Sequence, residues 1–266
     1  MRVVILSPVD TSPFTRLVAK FCVDEPGIEL AGIVVRKILN PARLRSELKR
    51  DGIRLVRKVW KKLVLGGDAR DSSAGERGFF ELTVERGLEG TTASAFASEH
   101  DVPVAKVSDH NDAESIEFLK RADPEVVAFT GGGIIRQPLL EAAGRGIFNT
   151  HMGLLPPYRG NDVVEWPIVE DQADLVGLGV TLHFMARGID TGPIALTRRV
   201  PIEPGDTMER LRKRFEPAML AIMEEGLRAV RDDRLELHDQ AIAEGRQYFI
   251  MHPRFYDIAR RKLAAR

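Results

Sequence analysis

Short apolar runs alternate with helical patterns along the first 150 residues of the chain. Apolar runs of four to six residues predict β-strands, and a 3.6-residue apolar period between them predicts helices. The predicted strands span residues 3–6, 30–35, 104–107, 126–129 and 146–149. The predicted helices span residues 14–21, 92–99, 113–121 and 138–143. Strands that alternate with helices are typical of βαβ units, so we expect an α/β protein with a Rossmann-like, doubly wound and mainly parallel sheet.

The composition excludes several classes of protein. The 266 residues include 39 Lys and Arg against 39 Asp and Glu, and this balance disfavours a generally basic nucleic-acid binder. No apolar run reaches the roughly 18 residues of a membrane-spanning helix, and we expect a cytoplasmic location. Cys22 is the only cysteine, which excludes an internal disulfide and a thiolate zinc site. We expect no metal site of any other kind.

The second half of the chain has a different organisation. Residues 177–185 and 193–200 have strand character. A capping box at residues 206–209 predicts a helix that continues to about Arg231. Pro217 should kink or restart this helix, because proline lacks the backbone N–H that the helix needs.

These patterns divide the chain into two parts. The first is a main domain, residues 1–205, which contains an insertion at residues 36–90. The second is a C-terminal helix with a small appendage, residues 206–266. The appendage has one apolar cluster, residues 248–251. We expect this cluster to pack on the main domain or on a second copy of the chain, as in a homodimer.

The insertion is unusually basic. Residues 36–62 contain eleven Lys and Arg, whereas Glu47 and Asp51 are their only acids. Its leucines and valines are spaced as one apolar stripe of a helical segment. Three interpretations stay open: a surface helix pair with solvated cations, an amphipathic helix on a membrane surface, and a contact for a polyanionic substrate.

The residues with the clearest chemistry follow the fifth predicted strand. Asn149 and His151 are two positions apart, so on an extended backbone their side chains share one face. An amide can donate to a developing oxyanion, and an imidazole can stabilise that charge or move a proton. Asp190 follows a later strand, where its carboxylate could orient His151 and favour the charged form of the ring. Together these groups indicate acyl transfer to an amine.

The two segments resemble the formyltransferase family that uses 10-formyltetrahydrofolate. The family pattern is Asn-x-His, then Leu-Leu-Pro-x-Tyr-Arg-Gly and, further on, a His followed by Asp-x-Gly. In this chain the pattern falls on Asn149, His151, Leu154-Leu155-Pro156, Tyr158-Arg159-Gly160, His183, Asp190 and Gly192. The resemblance extends over residues 1–200 and is strongest over residues 125–200.

The resemblance implies the formyltransferase fold, with Asn149, His151 and Asp190 as the catalytic residues. In the implied reaction, Asn149 and a charged His151 stabilise the oxyanion, and Asp190 keeps His151 charged. The formyl donor, 10-formyltetrahydrofolate, would occupy a cleft between the fourth and fifth strands. The residues expected to bind it are Gly132, Gly133, Ile134, Ile135, Met185, Ala186 and Ile189. The residues expected to bind the acceptor are Tyr158, Arg159 and Asn161.

The acceptor is expected to be a primary amine of an amino-sugar nucleotide. Residues 7–13 lack the Gly-rich phosphate loop that purine-pathway members of the family have there. Few residues follow the C-terminal helix, whereas the tRNA enzymes have a further barrel there, so we expect no tRNA partner. The alternatives are an amine of an amino-acid-derived product, hydrolysis of 10-formyltetrahydrofolate, and a non-catalytic scaffold. His183 is expected to be a strand residue bonded to a neighbour.

Overall fold

The computed structural model describes residues 1–37 and 76–266. Most of the predicted basic insertion, residues 38–75, lies outside the described residues, and so does most of the predicted contact region at 36–62. In the described part of the chain the strands are β1 (Arg2–Ser7), β2 (Glu29–Arg36), β3 (Val104–Val107), β4 (Val126–Phe129), β5 (Ile147–His151), β6 (Tyr158–Gly160), β7 (Gly179–Phe184), β8 (Ile194–Arg199) and β9 (Arg246–Tyr248). The helices there are α1 (Pro13–Asp24), α2 (Phe79–Glu85), α3 (Ala93–Glu99), α4 (Ala113–Ala122), α5 (Gln137–Glu141), α6 (Trp166–Val169), α7 (Met208–Arg231) and α8 (Pro253–Ala264).

The main sheet has the strand order β3-β2-β1-β4-β5-β7-β8. The first five strands of this order are parallel, and β7 and β8 are antiparallel to their neighbours. The chain builds outward from β1 to β2 and β3, then returns to place β4 on the other side of β1. The predicted α/β class with a mainly parallel, doubly wound sheet is therefore confirmed.

Both faces of the sheet are covered by helices. Successive side chains of a strand point to opposite faces, so Val3 and Ile5 of β1 lie in one apolar cluster and Val4 and Leu6 in the other. Helices α1 and α7 cover the first face, and α4 and α5 cover the second. Burial of one such aliphatic side chain stabilises the fold by about 1.5–3 kcal/mol, so this packing holds the strand ends in fixed positions.

Helix α7 runs without interruption through Pro217. The hydroxyl of Thr207 caps it by accepting a hydrogen bond from Arg210 N at 3.2 Å. Of the two outcomes predicted at Pro217, a kink or a restart, the restart is therefore wrong. The residues on either side of the proline, including Phe215 and Leu220, are buried in the core of the first face. Their packing offsets the one backbone hydrogen bond that proline cannot donate.

The residues after α7 pack on the main body. Strand β9 pairs in parallel with β6, with Tyr158 opposite Arg246 and Gly160 opposite Tyr248. Tyr248 is buried there, although the next residue, Phe249, is 70% exposed. Among the helices within residues 1–37 and 76–266, none combines the length and apolarity needed to cross a bilayer.

Candidate active site

Two paired strands bring the predicted catalytic residues together. Strands β5 and β7 are antiparallel, and their register places Asn149 directly opposite His183. His151 is two residues further along β5 and therefore points to the same face as Asn149. Asp190 lies in the turn between β7 and β8. The edge of the sheet thus gathers an amide, two imidazoles and a carboxylate.

The Asp190 carboxylate is at the centre of this group. Its Oδ2 accepts a hydrogen bond from Gly160 N at 2.9 Å and lies 3.4 Å from His151 Nδ1. Its Oδ1 lies 3.5 Å from both His183 Nε2 and Asn149 Nδ2. Burial alone would raise the pKa of Asp190, but the neighbouring histidines and the Gly160 N–H together lower it below its usual value. Asp190 is therefore ionised at neutral pH.

His151 is almost completely enclosed, with 7% of its surface exposed. Its Nε2 donates to the Tyr158 carbonyl at 2.8 Å, so this nitrogen holds the ring proton and Nδ1 faces Asp190. Burial lowers the pKa of His151, and the charge of Asp190 opposes this effect without reversing it. Both ring nitrogens thus face acceptors, an arrangement that suits the charged form of the ring, whereas burial disfavours that form. In its neutral form the ring can accept a proton at Nδ1.

His183 belongs to the site, although its sequence pattern predicts only a strand residue. Its Nδ1 donates to the Phe184 carbonyl at 2.8 Å, as expected of a residue bonded to a neighbour. Its Nε2, however, accepts from Asn149 Nδ2 at 3.1 Å and so orients the Asn149 amide. The second N–H of that amide has only the long 3.5 Å contact to Asp190 and is available to a ligand oxygen.

The glycine loop after β4 has an unusual backbone. Gly131, Gly132 and Gly133 have φ values of +118°, +124° and +109°, which side-chain-bearing residues rarely adopt. Asn111 holds this loop by donating to the Ile134 carbonyl at 2.9 Å and accepting from Arg136 N at 2.7 Å. A Cβ on Gly132 would lie 2.7 Å from the His110 ring. The lack of a side chain at Gly132 therefore lets the loop pack against His110, and the Gly132 carbonyl accepts a hydrogen bond from Arg36.

The other residues predicted to bind the donor occupy mixed environments. Ile134 is 69% exposed at the loop, whereas Ile135 is buried in the core of the second face. Met185 packs partly against that same core, and its N–H donates to the Ile147 carbonyl at 2.8 Å. Ala186 and Ile189 are half-buried in the turn that leads to Asp190. Ile135 and Met185, one from each loop, therefore share the apolar core of the second face.

The residues predicted to bind the acceptor are placed differently from one another. Tyr158 is buried, donates from its hydroxyl to Glu170 at 3.1 Å and stacks on Tyr248. Arg159 is buried too, and its guanidinium donates to the Gly245 carbonyl at 3.1 Å. Only Asn161 is exposed. Tyr158 thus acts on His151 through its backbone carbonyl, and the side chains of Tyr158 and Arg159 hold β6 against β9.

Comparison with protein families identifies the same region. The family model described as Formyl transferase matches residues 85–226, which is more than half of the chain. The match includes Asn149, His151, His183 and Asp190. It ends inside α7 and so does not include the residues that form β9 and α8.

Curated methionyl-tRNA formyltransferases are similar to part of the chain. The protein of Thermotoga sp. (strain RQ2) is 32% identical over 156 residues, which are 58% of this chain and 49% of that protein. The protein of Geobacter sulfurreducens is 35% identical over 124 residues, which are 46% of this chain and 38% of that protein. The chain therefore spans about half the length, or less, of the curated relatives it matches.

Solved structures share the fold. A sugar N-formyltransferase from Shewanella sp. is 17% identical with a TM-score of 0.58, over 94% of this chain and 77% of that one. A phosphoribosylglycinamide formyltransferase from Anaplasma phagocytophilum is 18% identical with a TM-score of 0.58, over 94% of this chain and 99% of that one. At these identities the likeness concerns the fold alone.

Proposed function

The chain belongs to the formyl transferase family, and we propose that it moves a formyl group from 10-formyltetrahydrofolate to a primary amine. The observation that carries this proposal is that Asn149 Nδ2 and His151 Nδ1 lie 3.5 Å and 3.4 Å from the oxygens of the Asp190 carboxylate. This reaction requires a hydrogen-bond donor for the oxyanion and a neutral base that takes the proton of the amine. It also requires an anion that stabilises this base once the base is charged.

The glycine loop and the turn before Asp190 suit a folate donor. Positive φ angles and absent side chains at residues 131–133 let the backbone approach a flat ring, and the exposed Ile134 offers it an apolar contact. We assign its binding to Gly132, Gly133, Ile134, Ile135, Met185, Ala186 and Ile189. When bound, the donor supplies the electrophilic formyl carbon on its N10 nitrogen.

Each residue of the site then has its own role in the reaction. Asn149 donates to the formyl oxygen as negative charge develops there. His151 takes the proton of the attacking amine at Nδ1, and the charged ring is stabilised by Asp190 at 3.4 Å and by the Tyr158 carbonyl at 2.8 Å. The new carbon–nitrogen bond forms as the bond from carbon to N10 breaks, and His151 returns the proton to N10. Much of the rate comes from holding the two substrates in this geometry.

We propose an amino-sugar nucleotide as the acceptor. The loop between β1 and α1 holds the Asp10 carboxylate, which accepts from Ser94 N at 2.8 Å and lies 3.4 Å from Lys106 Nζ. An anion in this loop disfavours an acceptor phosphate at the N-terminus of α1. The second candidate acceptor is methionyl-tRNA, because the curated relatives at 32–35% identity are methionyl-tRNA formyltransferases.

One experiment tests the activity and separates the acceptors. The purified protein is mixed with 10-formyltetrahydrofolate and, in parallel, with amino-sugar nucleotides, methionyl-tRNA, glycinamide ribonucleotide or no amine. Tetrahydrofolate and the formylated product are measured by mass. We expect turnover that depends on an amino-sugar nucleotide, is lost in His151→Ala and is kept in His100→Ala, an exposed control.

The other outcomes are equally informative. Turnover with methionyl-tRNA alone would establish transfer and replace the proposed acceptor. Formate release without any amine, lost in His151→Ala, would make the protein a hydrolase. No turnover in any mixture and no donor binding would refute the proposed function and favour a non-catalytic scaffold.

A further inference from the structure

Residues 238–248, which we call the C-terminal brace, contact the strands and the turn that carry the candidate active site. His238 and Ile194 exchange two backbone hydrogen bonds of 2.8 Å, which fix the start of the brace beside β8. At its other end Asn161 N donates to the Tyr248 carbonyl at 3.0 Å. The brace lies outside residues 85–226, the part of the chain that matches the family.

Gln240 is the brace residue that bonds the turn carrying Asp190. Its Nε2 donates to the Asp190 carbonyl at 3.0 Å and to the Gly192 carbonyl at 2.6 Å. One amide thus bonds both ends of a three-residue turn. Because both acceptors are backbone carbonyls, the contact constrains the path of the chain and does not involve the Asp190 carboxylate.

The turn held in this way is under conformational constraint. Asp190 has φ +51°, in the left-handed region that favours glycine. A Cβ on Gly192 would lie 1.9 Å from the Phe184 carbonyl, so the backbone is packed tightly there as well. In this conformation the carboxylate faces Gly160 N and His151 Nδ1 together. External hydrogen bonds are a direct means of keeping a sparsely populated backbone conformation.

We propose that Gln240 is a positioning residue for the reaction: its amide holds the Asp190 turn so that the carboxylate stays on His151. The expected loss of rate rests on the proposed function. The expected change in the titration of His151 rests on geometry alone. The hydrogen bonds of Gln240 are made to the backbone of the turn, so its effect on the reaction passes through Asp190.

The charged groups that face His151 set the expected signature. Asp190 faces Nδ1 from the turn after β7, and His183 faces the ring from β7 with ring centroids 6.3 Å apart. From β6 the neighbour is the neutral Tyr158 carbonyl. Asp190 is thus the anion that favours protonated His151, and loosening it must move the titration of His151 to lower pH.

The test uses Gln240→Met, which keeps the side-chain length and removes both donors, and Gln240→Asn as a milder variant. Gln247→Met is the matched control, since Gln247 is an exposed glutamine of β9. We expect kcat to fall by about 10–100-fold in Gln240→Met, because small displacements of catalytic groups cost rate of that order. The KM of the donor should change by less than about threefold, and the acid limb of the pH–rate profile should move to lower pH.

A second readout needs no substrate. The ring protons of His151, assigned with His151→Ala, are titrated by NMR in the full chain, and the midpoint should be lower in Gln240→Met than in Gln247→Met. A lower midpoint in a protein without turnover would support the positioning role while the proposed function fails. A folded Gln240→Met with unchanged kcat, pH profile and His151 titration would overturn the inference. Loss of folding in both Gln240 variants would also overturn it, by making Gln240 a residue of stability only.

Discussion

Replacement of Asp190 by Asn tests the central electrostatic step. The substitution keeps the shape of the side chain, and its oxygen can still accept from Gly160 N. It also suits the left-handed backbone at this position, since Asn tolerates φ values near +51°. What it removes is the negative charge that faces His151 Nδ1.

The expected magnitude follows from the distance and the burial of the pair. At 3.4 Å, two unit charges attract by about 5 kcal/mol for an effective dielectric constant of about 20. Solvent screens this pair little, since the side chains of His151 and Asp190 are 7% and 14% exposed. The attraction acts only once His151 has taken the proton of the amine. With about 1.4 kcal/mol for each factor of ten, Asp190→Asn should lower kcat by about 10³–10⁴.

The pH dependence gives the second, independent result. Burial lowers the pKa of His151 and Asp190 opposes this, so removing the charge lowers the pKa further. His151 must be neutral to act, so activity rises with pH through this pKa, and in the variant the acid limb of kcat/KM moves to lower pH. Asp233→Asn is the matched control, because Asp233 also has a left-handed φ, +50°, yet is exposed. A loss smaller than tenfold, or an acid limb that stays or moves to higher pH, would refute the reasoning.

Other substitutions test the oxyanion donor, the glycine loop and a buried ion pair. Asn149→Ala should lower kcat by about 10²–10³ in steady-state assays, because the amide acts on charge that develops in the transition state, and a loss below tenfold would contradict this. Gly132→Ala should destabilise the fold by about 1–3 kcal/mol in urea unfolding, since its φ is +124° and its Cβ would lie 2.7 Å from His110; an unchanged midpoint would count against it. Asp206→Asn should cost up to about 3 kcal/mol at pH 7, because Arg214 binds both carboxylate oxygens at 2.8 Å. Burial raises the pKa of Asp206, but Arg214 lowers it more. The stabilisation by this ion pair is therefore present above the usual carboxyl pKa and is lost as pH falls through the folded-state pKa. An equal loss of unfolding free energy in Asp206→Asn at pH 3 would oppose this.

The sequence predicts the strands well where burial decides their limits. Strands β3 and β4 span the predicted residues, since a short apolar run between polar turns is typical of a buried strand. The last strand before the site extends to His151, two residues past the prediction, because polar side chains at a sheet edge can pair as well as apolar ones. Helix α7 continues past Pro217 because tertiary packing overrides the local preference of proline.

The site is only partly predictable for a related reason. Asn149 and His151 are two positions apart on one strand, so their common face follows from local geometry. The role of His183 depends on antiparallel register between strands that are far apart in the chain, although its place ahead of Asp190 in the family pattern is a usable signal. Gln240 is 50 residues from Asp190 in sequence, and no local pattern connects them.

The pKa of His151 also depends on tertiary structure. A sequence shows that a carboxylate can reach an imidazole, and the pair then suggests a charged ring. It does not show how completely the ring is enclosed, and here the enclosure lowers the pKa of the ring. Charge attraction grows with proximity, but the cost of desolvation grows with burial, so the sign of the net effect belongs to the folded protein.

The chemistry of the site depends on main-chain atoms as much as on side chains. The carbonyl of Tyr158 binds His151, the N–H of Gly160 binds Asp190, and the carbonyl of Asp190 itself is held by Gln240. A main-chain partner is kept under any substitution that keeps the local fold, so side-chain changes at Tyr158 reach the reaction only by moving β6. Strand β6 is in turn fixed by its pairing with β9, from the end of the chain. The geometry of the reacting groups is therefore sensitive to the C-terminal residues, although those residues supply no catalytic side chain.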